Sequence, residues 1–127
     1  MLEVEVVGEP PPLLTVAEIE RLAGFATASA GIDDGHLAIQ FVGSGEIAAL
    51  NREYRGNAEP TDVLSFPIDG AGPVPGGPRE LGDVVICPEQ TDDLREAVVH
   101  GVLHLVGMDH EADAGEMLAL QAELLSW

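Results

Sequence analysis

The chain has 127 residues, enough for one domain with a real hydrophobic core and too few for two. Its 23 acidic residues face five basic ones, all arginine, and the formal net charge is −18. A surface of that sign repels nucleic acid at long range, which excludes a module that binds RNA through its overall field. Any RNA contact has to come from a local patch or a metal. No apolar run nears the roughly 18 residues that span a membrane, and MLEVEVV lacks the basic region that opens a secretory signal. The expectation is a cytoplasmic protein without a membrane partner. The single cysteine, Cys87, cannot form an internal disulfide.

Leu2, Val4 and Val6 alternate with Glu3 and Glu5, the period of a strand with one buried face, and Pro10, Pro11 and Pro12 end it. Thr15, three residues before Glu18, is a capping signature, and Val16, Ile19, Leu22, Ala23 and Ala26 follow at helical spacing, predicting a helix from about Val16 to Ser29. A turn over Gly31, Asp33, Asp34 and Gly35 leads into a second strand at Leu37, Ile39 and Phe41, with His36 at its start read as solvent-facing. Ser44 is placed to cap a second helix with Ile47, Leu50 and Tyr54 on one stripe and Arg52 and Arg55 at or just past its end. Val63 to Phe66 reads as a strand that Pro67 terminates, and Asp69 to Pro78 as an exposed loop, either connector or lid. Val84, Val85 and Ile86 predict a central strand covered on both faces, ending in a buried, inert Cys87. Thr91 is placed to cap a third, apolar helix carrying Leu94 to Val106, and Met117, Leu120, Leu124 and Trp127 form the packing stripe of a fourth.

Three of the four histidines fall in HGVLHLVGMDH, from His100 to His110. His100 and His104 share one helix face, one turn apart. Gly107 is suited to a left-handed stop that folds the chain back and brings His110 toward the same ion. The spacing equals that of a zinc peptidase helix, H-E-x-x-H-x-x-G-x-x-H, but the glutamate that serves there as general base is Gly101 here. Structural zinc sites are usually closed by four ligands rich in cysteine, which one cysteine cannot supply, so the set points to three nitrogens and an open position.

Together with LNREYR, TDVLSFP and LGDVVI upstream, HGVLHLVGMDH resembles the bacterial YbeY-type endoribonucleases, metal-dependent factors of rRNA maturation. The resemblance runs from Leu50 to Trp127. It implies a small α/β (α+β) single domain, with a mixed sheet of about four strands packed with helices around a central, zincin-like metal-binding helix. It further implies one zinc ion per chain on His100, His104 and His110, and a need for Arg55 in activity. The implied role is cutting single-stranded RNA during 3′-end processing of small-subunit rRNA and ribosome quality control, with the small ribosomal subunit and its assembly factors as partners. This chain departs from the family in having fewer residues between Pro88 and His100, which bears on the shape of the cleft rather than on the ligands.

Within that reading Arg55 forks onto the phosphate and offsets transition-state charge, although from the residues alone it is a surface arginine at a helix end. Asp109, Asp62 and Glu111 are acid/base candidates by proximity in sequence, Asp109 being also suited to orient a ligand. The RNA 2′-hydroxyl is an alternative nucleophile. Two other classes stay in view: a zinc metallopeptidase-like hydrolase, opposed by Gly101, and a non-catalytic ribosome-assembly protein whose metal supports the fold.

Overall fold

Alternation builds the first strand, β1 (Leu2–Val7), whose Leu2, Val4 and Val6 pack on the core while Glu3 and Glu5 face solvent. The computed structural model describes residues 2–12, 14–56, 61–69, 79–108 and 115–127, and of Arg55 the backbone alone. Thr15 caps α1 (Val16–Ser29) as its spacing predicts, its hydroxyl accepting from the Glu18 N–H at 3.1 Å. The return half of the capping box does not form, because the Glu18 carboxylate accepts instead from Arg21 and Arg95. α1 provides the crossover that parallel neighbours require, and β2 (Gly35–Phe41) runs parallel to β1.

α2 (Ser44–Arg55), β3 (Val63–Pro67), β4 (Glu80–Ile86), a 3-10 turn at Pro88–Gln90, α3 (Leu94–Leu105) and α4 (Glu116–Leu125) follow. The sheet order is β1-β2-β4-β3, with β4 parallel to β2 and β3 antiparallel at the edge, where Pro67 is tolerated. This is the mixed sheet of about four strands that the resemblance implied.

β4 has its two faces in two cores. Val84 and Ile86 join Leu37 and Ile39 of β2 under α1, α3 and α4. Val85 and Cys87 join Leu64 of β3 and Ile47 of α2 on the opposite side. Three helices therefore cover one face of the sheet and α2 covers the other. Among the described residues no helix is long and apolar enough to cross a membrane.

Local details differ from expectation where tertiary partners compete for a side chain. Gly43, not Ser44, caps α2, and the Ser44 hydroxyl accepts from Gln90 Nε2 at 3.1 Å beside Cys87 Sγ. Asp93, not Thr91, caps α3, accepting from the Glu96 N–H at 3.1 Å, while Thr91 ties the preceding turn to the backbone of Asp93. Tyr54 is 60% exposed, its ring edge-on to Phe66, and the buried polar residue on the inward side of α2 is Asn51. Residues 70–78, read as connector or lid, lie outside the described residues.

Candidate functional site

The site is built on the way α3 lies against the sheet. Gly101 faces β4 so closely that a Cβ there would stand 2.4 Å from Val84 Cγ1 and 3.2 Å from Val63 Cγ2. From the edge strand, the Ser65 hydroxyl donates to the Gly101 carbonyl at 2.9 Å. The place that holds the general base of the zinc peptidases is therefore pressed against strands, and no glutamate fits there without moving β4 or the helix. With Gly101 inward, His100 and His104 come out half-buried on a neighbouring face, one turn apart.

Their Nε2 atoms are 3.2 Å apart and their rings meet edge to face with centroids 4.7 Å apart. Each ring is also held through its other nitrogen. His100 Nδ1 donates to Gln121 Oε1 at 2.8 Å, and His104 Nδ1 donates to the Met108 carbonyl at 2.9 Å. An oxygen acceptor on Nδ1 keeps the proton there and puts the lone pair of each ring on Nε2, the nitrogen that faces the other ring. Two nitrogens bound tetrahedrally at about 2.0–2.1 Å lie about 3.3 Å apart, so the pair fits a zinc ion as it stands.

The Met108 carbonyl reaches His104 for a reason the sequence states. Gly107 takes φ +98°, the Gly107 N–H donates to the His104 carbonyl and the Met108 N–H donates to the Leu103 carbonyl, each at 3.1 Å. This Schellman closure turns the chain back over the last turn of α3. The helix stop expected at Gly107 and the support behind His104 are thus one feature.

The other expected residues divide. His110, Asp109 and Glu111 lie outside the described residues. Arg55 is the last residue of α2, before the left-handed cap Gly56, and its side chain is not described. Asp62 is exposed at the head of β3, where its Oδ1 accepts from the Val63 N–H at 2.9 Å and from the Thr61 hydroxyl. Among the described residues no three of His, Cys, Asp or Glu are grouped to hold a metal ion.

His36, expected to face solvent, is 31% exposed but also paired. β2 is an interior strand, and the ring is bracketed by Glu80 at 2.7 Å from Nδ1 and by Glu5 at 3.2 Å from Nε2. Gln121 was missed altogether, since α4 was read as packing alone. The available signal was a polar residue four after Met117 and three before Leu124, inside an apolar stripe, and all three are buried.

The fold and site define a class: small α+β proteins that present converging, back-supported imidazoles from a helix laid flush on a mixed sheet. The family model for endoribonuclease YbeY matches residues 15–127, and the chain belongs to that family. Endoribonuclease YbeY of Bacillus licheniformis is 40% identical over 132 residues, covering 87% of this chain and 84% of the relative. That of Chromohalobacter salexigens is 42% identical over 130 residues, covering 90% and 82%. The solution structure of TM1509 from Thermotoga maritima matches with a TM-score of 0.55 at 26% identity, covering 97% of this chain and 87% of that one.

Proposed function

We propose that this chain is a zinc-dependent endoribonuclease that cuts single-stranded RNA in 3′-end processing of small-subunit rRNA and in ribosome quality control, in the cytoplasm. One zinc per chain would be held by His100, His104 and His110. Membership of an endoribonuclease family supports the reaction class. The metal rests on one observation, the 3.2 Å approach of two Nε2 atoms whose Nδ1 atoms are both committed to oxygen acceptors.

When bound, zinc supplies polarisation of a phosphoryl oxygen and a nucleophile at neutral pH. This chain's residues do the rest. The sheet under Gly101 fixes the direction of the imidazoles, so little reorganisation is left for the reaction. Arg55 holds the phosphate through paired N–H donors and offsets charge as it develops. Asp109, Asp62 or Glu111 takes the proton from the attacking oxygen, whether of water or of the RNA 2′-hydroxyl, as its bond to phosphorus forms, and a proton returns to the 5′-oxygen as the P–O5′ bond breaks. With a net charge of −18, such a site recruits RNA through these local groups.

Elemental analysis of untagged protein is expected to find zinc, and a chelator is expected to abolish cleavage of a structured rRNA fragment, with zinc restoring it. Arg55→Lys should lose about 10²-fold in rate, because a point charge replaces the fork, and Arg55→Ala should lose more. Unchanged cleavage in both would remove Arg55 from the mechanism. A 2′,3′-cyclic phosphate product would assign the attack to the RNA hydroxyl. Protein that binds zinc, melts lower without it and cuts no RNA would be the assembly factor instead.

A further inference from the structure

We infer that Gln121 is a positioning residue for the metal site: its side-chain oxygen holds His100 in the tautomer that turns the Nε2 lone pair toward His104. The inference deepens the proposed metal site and rests on it.

Gln121 is 6% exposed on α4, between buried Met117 and Leu124. A buried amide is unfavourable there unless it is hydrogen-bonded, and its Oε1 accepts from His100 Nδ1 at 2.8 Å. The other tautomer would place a proton on Nε2, between the two rings, and take away the ligand. Helix α4 is well placed to act as a fixed support. Arg95 donates to the Leu125 carbonyl and Arg21 to the Trp127 carbonyl, each at 3.4 Å, and both arginines also bond Glu18 of α1. The Trp127 ring meets Phe25 of α1 edge-on at 5.1 Å. α1, α3 and α4 are joined at that corner, so the amide that meets His100 is carried by a tied element rather than a loop.

His104 makes the contrast. Its acceptor is the main-chain carbonyl of Met108, which no substitution removes. Gln121 is accordingly the side chain, among the described residues, through which the tautomer of the pair can be altered without touching either ring. A carboxylate at this position accepts as an amide oxygen does, and an aliphatic side chain does not.

The test compares full-length wild type, Gln121→Leu and Gln121→Glu. Long-range nitrogen–proton correlation spectra of the metal-free protein, above the imidazole range at about pH 8.5, report which His100 nitrogen carries the proton. Wild type and Gln121→Glu should carry it on Nδ1, and Gln121→Leu should shift it toward Nε2. Zinc titrated against a chromophoric chelator should bind Gln121→Leu about 10- to 100-fold more weakly than wild type, with Gln121→Glu no weaker than wild type. An amide that served packing alone would lower the melting temperature without changing the tautomer. Wild type that binds zinc, with Gln121→Leu equal in affinity and tautomer, overturns the inference and leaves the metal site standing. Failure of Gln121→Glu to match wild type also overturns it. Wild type that binds no zinc overturns the metal site itself, and this role with it.

Discussion

His36 and the pair on α3 are the same side chain in opposite settings. Both ring nitrogens of His36 face carboxylates, Glu80 and Glu5, which accept only, so the ring is suited to carry two protons across three strands. Burial opposes that charge, but hydrogen bonds and attraction from Glu80 and Glu5 outweigh it, and the pKa is raised. His100 and His104 each give one nitrogen to a neutral oxygen and turn the other toward a second imidazole. What the second nitrogen meets decides whether a histidine is pinned between charges or turned toward another ring. Neither lesson follows from the identity of the residue.

The largest expected effect tests that division directly. His104→Ala should weaken zinc binding by more than the roughly 10- to 100-fold typical of an outer partner, while His36→Ala should leave it unchanged in the same chelator competition. Equal losses in both would erase the distinction. Next comes the platform beneath the pair. Gly101→Ala should destabilise by about 1–3 kcal/mol in urea denaturation, because its methyl group meets Val84, even though alanine is favoured over glycine in a helix interior by about 1 kcal/mol. A stabilised Gly101→Ala protein would mean that α3 is not flush on β4. Asp93→Ala should cost about 1 kcal/mol through loss of the α3 cap, and Thr91→Ala less, since Thr91 bonds only the turn before it.

The smallest effect sharpens the His36 side. A raised folded-state pKa contributes stability that is fully present below the unfolded value of about 6.5 and is lost as pH rises through the folded value. Melting temperature should therefore decline on the alkaline side of that window, and His36→Gln should flatten the decline. The change is modest because the ring is 31% exposed and its partners are screened by solvent. A slope that persists undiminished in His36→Gln would assign the pH dependence elsewhere.

Legibility followed distance along the chain. Thr15 as a cap, the alternation in β1, the double-sided β4 and the stop at Gly107 were all written within a few residues and all formed. The four-residue spacing of His100 and His104 placed both on one face, as helical geometry requires. Where two short signals overlapped, as at Thr91 and Asp93, the local pattern admitted both and packing chose the second. Contacts between separated segments left fainter marks. Gln121 to His100 spans 21 positions, Ser65 to Gly101 spans 36 and His36 to Glu80 spans 44, and none has a spacing rule that announces it.

By itself, the sequence determined the elements, their order, the family and the helix face that carries two histidines, because each of these depends on periodicity, capping or motif spacing over a short reach. Only the tertiary structure decided that Gly101 would be closed against the sheet, that α4 would supply an acceptor to His100, and that His36 would be bracketed by two glutamates. Those outcomes depend on how whole elements stack. The tautomer and charge of a histidine are set by the atoms that stacking brings to its second nitrogen.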